Sequence, residues 1–207
     1  MNIHPIFVHF PIALLTIYAL LEVFIPIKIA AFKALKWENF WGYKLLVNPI
    51  WQAIKAFLVI VGTLIGLVTL ETGDMAEELV RSTASDPRAF GMSQIGQLIE
   101  MHSTFASLSV GIFAVLAVGY IAYFIEKKSA SIASATAPTS SEAIHKFMQK
   151  FGGVVTLIRK IALNPWVAAI LALVGLVAIT ITGALGGAIV YGPDVDPVVK
   201  MIYGWFF

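Results

Sequence analysis

The chain has 207 residues, 59% of them hydrophobic and 13% charged, with a formal net charge of +2. A soluble domain is nearer half apolar and a quarter charged, so a mean hydropathy of +0.87 excludes a fold covered by water and predicts an integral membrane protein. With no cysteine, disulfides, thiol catalysis, iron–sulfur ligation and covalently attached haem are excluded, and the small net charge gives no reason to expect nucleic acid.

A hydrocarbon core of about 30 Å takes about 20 apolar residues of helix. Four segments meet that length, at about 6–27, 49–70, 103–125 and 165–191. The expected fold is all-α: a single four-span domain over 1–207, a transmembrane four-helix bundle with two interfacial amphipathic segments on the cytoplasmic side. Span one has neither a basic n-region nor a small-residue cleavage site, which predicts a retained helix rather than a signal peptide. Pro11 leaves its start open: the helix begins near Pro11, or near Pro5 with a kink.

Residues 30–48 interleave Lys33, Lys36 and Lys44 with Phe32, Trp37, Phe40, Trp41 and Tyr43, a mixture suited to the headgroup layer. After span two, 72–81 reads as helix before the Asp86-Pro87 break. Ser93 is a candidate N-cap for a helix running through His102 into span three. Residues 129–141, a Ser/Ala/Thr stretch, predict a flexible cytoplasmic tether. Residues 145–161 then read as a basic interfacial helix with Phe147, Phe151, Val154, Val155 and Ile158 on its apolar side. Span four carries no charge between Lys160 and Asp194.

Orientation follows from the cations. Lys28, Lys33, Lys36, Lys44 and Lys55 flank the first inner connection, and Lys127, Lys128, Lys146, Lys150, Arg159 and Lys160 the second. Of the 14 basic residues, only Arg81, Arg88 and Lys200 fall on the other side. The basic side is expected to be cytoplasmic, with both termini periplasmic, as in a bacterial inner membrane.

That topology brings three of the four histidines to one level. His4 and His9 stand at the outer end of span one and His102 at the outer end of span three; His145 lies inside. Neutral imidazoles from facing helices can hold a planar haem in a bundle core, and polar groups in a span tend to mark function. Small residues share this level: Gly73 ends span two, and Gly183 and Gly187 end span four, where a flat ring could approach. Arg81, Arg88 and Lys200 are the cations available to haem propionates. His4 and His9 are five residues and about 140° apart on a helix, so they do not share one iron, and His9 with His102 is the expected axial pair.

Plainer readings stand beside these. His4 suits a solvated residue near a terminus, His9 and His102 suit hydrogen bonds between helices, and the Gly183-xxx-Gly187 spacing suits helix packing. Copper, zinc or iron could be held by the histidines with Asp74 or Glu100. The acidic group Glu71, Asp74, Glu77, Glu78 and Glu100 is a solvated rim or a dock for a basic partner such as a soluble periplasmic cytochrome. Tyr18, Tyr120 and Glu22 lie inside spans as isolated residues that define no mechanism. No phosphate-cradling loop, serine elbow or HExxH pattern is present, and without a run of charges in the spans a transporter is disfavoured.

Four stretches stand out: His4-Pro5-Ile6-Phe7-Val8-His9-Phe10-Pro11-Ile12-Ala13-Leu14, Thr72-Gly73-Asp74-Met75-Ala76, Met101-His102-Ser103-Thr104-Phe105-Ala106, and the run from Thr182 through Gly192. Together they resemble bacterial membrane proteins of the domain of unknown function 2231 family. The likeness touches all four spans in order. It implies a four-helix membrane module with histidines at His4, His9 and His102, and, since relatives are joined to Rieske-type iron–sulfur modules, redox company. The long inner connection over 126–164 departs from the pattern.

The expected function is that of a b-type cytochrome with one haem near the outer leaflet, an electron carrier or subunit of a larger respiratory-type membrane complex with no catalytic residues of its own. A non-haem copper, zinc or iron protein and a cofactor-free structural subunit are the alternatives.

Overall fold

The computed structural model describes residues 4–83, 91, 93–133 and 142–207, the side chains of 5, 6, 128–133 and 142–151 excepted. Seven helices carry these residues, and no strand occurs among them: α1 (His4–Ala34), α2 (Trp41–Leu46), α3 (Ile50–Thr83), α4 (Gln94–Ala133), α5 (Glu142–Leu163), α6 (Pro165–Tyr191) and α7 (Pro197–Tyr203). Four of them, α1, α3, α4 and α6, are long and apolar enough to cross a membrane. The chain is an integral, all-α membrane protein whose exposed apolar faces require a lipid bilayer.

Of the two starts considered for the first span, the earlier is adopted: α1 runs from His4 straight through Pro11 and Pro26. Proline has no amide for the carbonyl one turn back, and Pro11 thereby strands the Phe7 carbonyl in an apolar layer. Thr69 on α3 repairs this, its Oγ1 lying 3.3 Å from that carbonyl while also bonding the Ile65 carbonyl at 2.9 Å. At its other end α1 stops where Lys36 turns left-handed (φ 57°). The amides of Lys36 and Trp37 then bond the carbonyls of Lys33 and Phe32 at 3.1 and 2.9 Å, a Schellman closure. Phe32, Phe40 and Tyr43 cluster here, with ring centroids 5.8 and 6.5 Å from Phe32.

The 34 residues of α3 span about 51 Å at 1.5 Å each, so the helix outruns the bilayer and includes the 72–81 segment; the Asp86-Pro87 break lies outside the described residues. Ser93 caps α4, its Oγ accepting from the Gly96 amide at 3.2 Å, and α4 runs unbroken past His102. It continues to Ala133, so the first five residues of the expected tether, 129–133, are helical. Serine and alanine offer no breaker before Pro138; the remainder, 134–141, lies outside the described residues. Asn164 caps α6 by accepting from the amides of Trp166 and Val167, both at 3.1 Å, with Pro165 at the first helical position.

In the bundle α1 packs on α3 and α6, and α4 packs on the same two, which leaves α1 and α4 diagonal to each other. Across that diagonal Tyr18, Phe113, Leu116 and Leu15 fill the core with Val59, Ala168 and Ala172. Two glycines let the large side chains in: a Cβ on Gly62 would stand 2.7 Å from Leu15, and one on Gly175 2.7 Å from Phe113. The starts of α1 and α4 define one end of the bundle, the histidine end. The connections bearing α2 and α5 define the other, the basic end.

Each end has a cover. At the basic end α5 docks on α4 with Ala162 buried against Gly119, where any added Cβ would overlap it. Arg159 of α5 pairs with Glu126 of α4. At the histidine end α7, which the hydropathy pattern did not announce, folds back against α6. Asp196 caps it, accepting from the Val198 and Val199 amides at 2.8 and 2.9 Å. Val199 and Ile202 pack with Leu98, Ile181, Leu185 and Ala188, and Gln94 Nε2 donates to Tyr203 Oη at 2.6 Å.

Candidate functional site

At the histidine end His4 points into the bundle and His9 does not. His4 is half-buried and His9 exposed, because five residues turn the helix by about 140°. The α1 imidazole that faces the bundle at this end is thus that of His4, where the sequence pattern pairs His9 with His102. The two histidines come from diagonal helices at the same end of the bundle.

Both rings are held in the same way. His102 Nδ1 lies 2.9 Å from the Thr182 carbonyl of α6. A carbonyl only accepts, so Nδ1 carries the proton and Nε2 the lone pair. His4 Nδ1 lies 3.2 Å from Thr72 Oγ1 of α3. That hydroxyl donates to the Thr69 carbonyl at 3.0 Å, so it accepts from the imidazole. Each ring also sits on a glycine: a Cβ on Gly73 would stand 3.2 Å from His4 Cε1, and one on Gly186 3.1 Å from His102 Cε1. Burial holds the His4 pKa below the usual histidine value, offset in part by a hydrogen bond to the Thr69 backbone, so the ring is uncharged at neutral pH. A metal-ligating imidazole is commonly neutral with one nitrogen oriented by a second hydrogen bond, and both rings have this form.

The remaining sequence candidates fall out as follows. Gly73 backs His4, whereas Gly183 faces open space and Gly187 meets Val199 of α7; Gly186 takes the place expected of those two. Arg81 is held by Glu77 at 2.5 Å and Lys200 by Asp194 at 2.8 Å, so these two expected propionate partners already have carboxylates. Arg88 lies outside the described residues, and His145 outside those with described side chains. Among the described residues no group of three or more His, Cys, Asp or Glu is arranged to hold a metal ion.

A second polar cluster stands near the basic end. Glu22, 1% exposed, accepts a salt bridge from Lys55 Nζ at 3.1 Å on one oxygen and a hydrogen bond from Tyr120 Oη at 3.1 Å on the other. Tyr18 lies beside them, its ring centroid 6.3 Å from that of Tyr120. Three residues that are isolated in the sequence thus meet, joined by Lys55, which in the sequence flanks the first inner connection. One signal was available. His4 and Glu22 are 18 residues apart on α1, and His102 and Tyr120 are 18 apart on α4. At 3.6 residues per turn that is five full turns, about 27 Å along one face. The face of each diagonal helix that carries a histidine at one end therefore carries a member of the buried cluster at the other.

No protein-family model matches the chain, and no curated protein or solved structure is significantly similar to it.

Proposed function

We propose that the protein is a membrane electron-transfer component that holds one b-type haem between His4 and His102, as a carrier or as a subunit of a larger redox complex. The observation that carries this reading is the matched environment of the two imidazoles. They come from diagonal helices at one level, each with Nδ1 engaged by the neighbouring helix and each seated on a glycine. The donor set fits haem b, which asks the protein for two neutral nitrogens. It does not fit a zinc or copper site, which asks for three or four protein ligands.

When bound, the haem supplies a one-electron couple. The Thr182 carbonyl and the Thr72 hydroxyl fix the tautomer and rotation of the two rings, and a proton on each Nδ1 leaves Nε2 as the coordinating nitrogen. His4 and His102 would together hold the haem, and iron held by two protein nitrogens would exchange electrons rather than bind oxygen. Helix α7 and the Phe105–Phe206 contact, with centroids 5.5 Å apart, shield the His102 side from water. The distribution of basic residues supports placing the histidine end on the periplasmic side of a bacterial inner membrane. There the acidic residues Glu71, Asp74, Glu77 and Glu78 would meet a basic partner such as a soluble cytochrome or a Rieske-type protein.

The same hydrogen bonds brace α1 to α3 and α4 to α6, which supports a cofactor-free structural reading. A reduced-minus-oxidised visible spectrum of protein made with ample haem separates the two. The expected result is a Soret shift and an α-band, lost in His4→Ala and in His102→Ala and kept in His9→Ala. No Soret shift, or a spectrum indifferent to both His4 and His102, rejects the haem reading.

A further inference from the structure

We propose that Glu22 is a proton-binding site within the membrane, poised by Lys55 and by the two tyrosines Tyr18 and Tyr120, and that proton uptake releases Lys55 toward the basic end. This stands independently of the haem reading, since the cluster lies about 27 Å from the histidines along α1 and α4.

The first observation is the placement of an ion pair in a layer otherwise made of apolar side chains. An ion pair taken out of water gives little net stability, and apolar residues of similar size do as well or better. Ionisable groups inside a span are therefore functional candidates. Around Glu22 the neighbouring polar group on α1 is Tyr18, on α3 Lys55, and on α4 Tyr120. The span of α6 carries no ionisable residue between Pro165 and Val190, and α5 brings Ala162 to this core. Among the described residues the carboxylate thus has one counter-ion and two phenols around it.

The second observation is an orphan. The Tyr18 hydroxyl is fully buried within polar reach of Glu22 and Tyr120, yet it makes no well-formed hydrogen bond to either. A buried hydroxyl left so is costly and calls for an explanation. With Lys55 on one carboxylate oxygen and Tyr120 on the other, the arrangement leaves Tyr18 without a well-aligned bond.

The two members of the ion pair are also unequal. Glu22 is enclosed, its side chain 2% exposed, whereas that of Lys55 is 11% exposed. Lys55 stands five residues from the start of α3, about 7.5 Å along the axis. Its four-carbon stem can carry the ammonium that distance to the headgroup layer, as lysines near helix ends do. One proton from water at the basic end then adds to the carboxylate to form a carboxylic acid. The salt bridge breaks, Lys55 leaves with its charge, and no net charge remains buried. The vacated oxygen becomes the partner that Tyr18 lacks, and Tyr120 keeps its bond to the other. Proton release reverses each step.

Infrared pH-difference spectra of the full chain in lipid nanodiscs test this. The expected result is a protonated-carboxyl C=O band that grows as pH falls, vanishes in Glu22→Gln and persists in Glu126→Gln. In Lys55→Met the band should be strong at neutral pH, because the carboxylate has lost its counter-ion. In Tyr18→Phe, which deletes only the orphan hydroxyl, the band should be weaker at every pH, because the protonated form has lost its new partner. A band unaffected by Glu22→Gln overturns the proposal. So does a Tyr18→Phe protein whose melting temperature rises while its band keeps the wild-type pH dependence, since the ion pair would then be a static brace.

Discussion

Replacing Lys55 by methionine should make the stability of this protein depend on pH in a way the parent does not. Methionine fills the volume of the lysine stem but leaves the Glu22 carboxylate, 1% exposed, with the Tyr120 hydroxyl as its remaining bond, at 3.1 Å. Removing one partner of a buried pair costs about 3–5 kcal/mol when the remaining charge has no escape. Here the carboxyl can take up a proton instead. Neutralising a glutamic acid with an ordinary value of about 4.3 costs about 3.7 kcal/mol at pH 7, at 1.36 kcal/mol per unit, and that figure caps the penalty. In the folded variant Glu22 is then protonated, while in the unfolded variant it is ionised above about pH 4.3. The folded state binds the extra proton, so stability falls by about 1.4 kcal/mol for each unit of rising pH in that window, and the penalty fades as pH drops toward 4.3. The assay is reversible unfolding in lipid–detergent micelles at several pH values, read as the difference between parent and variant. The double variant Glu22→Gln with Lys55→Met should recover most of the loss at pH 7, since no buried charge remains. A penalty independent of pH, or a double variant as unstable as Lys55→Met alone, would refute the reasoning.

The glycines under the histidines give a sharper test of the imidazole seats. Gly186→Ala brings a Cβ to 3.1 Å from His102 Cε1 and Gly73→Ala one to 3.2 Å from His4 Cε1; each should tilt its ring and lower haem occupancy in the visible spectrum. Gly183→Ala, which meets open space, should leave the spectrum unchanged. At the basic end, Gly119→Ala overlaps Ala162 and must push α5 off α4. A destabilisation of about 1–3 kcal/mol and faster proteolysis of α5 are expected. Gly111→Ala, also in α4 but with nothing nearby, should be neutral or stabilising by up to about 1 kcal/mol through helix propensity.

The four spans and the Ser93 and Pro165 helix starts were legible in the chain because each depends on local composition, length or capping chemistry. The level of the histidines was legible too, since antiparallel crossings return His4 and His102 to one end whatever the bundle geometry. What composition could not give is the rotation of each helix about its own axis. That rotation turns His4 inward and His9 outward, seats His102 on Gly186 rather than Gly183 or Gly187, and sends α7 back over α6. It also brings Lys55, which reads as an edge residue, onto Glu22 from another helix. Helix rotation is fixed by where large and small side chains interlock across the bundle, Leu15 against Gly62 and Phe113 against Gly175. Such contacts join residues far apart in sequence, so the chain specifies them only once it is folded. Periodicity determined that this protein spans a membrane; tertiary packing decided which of its few polar groups meet there.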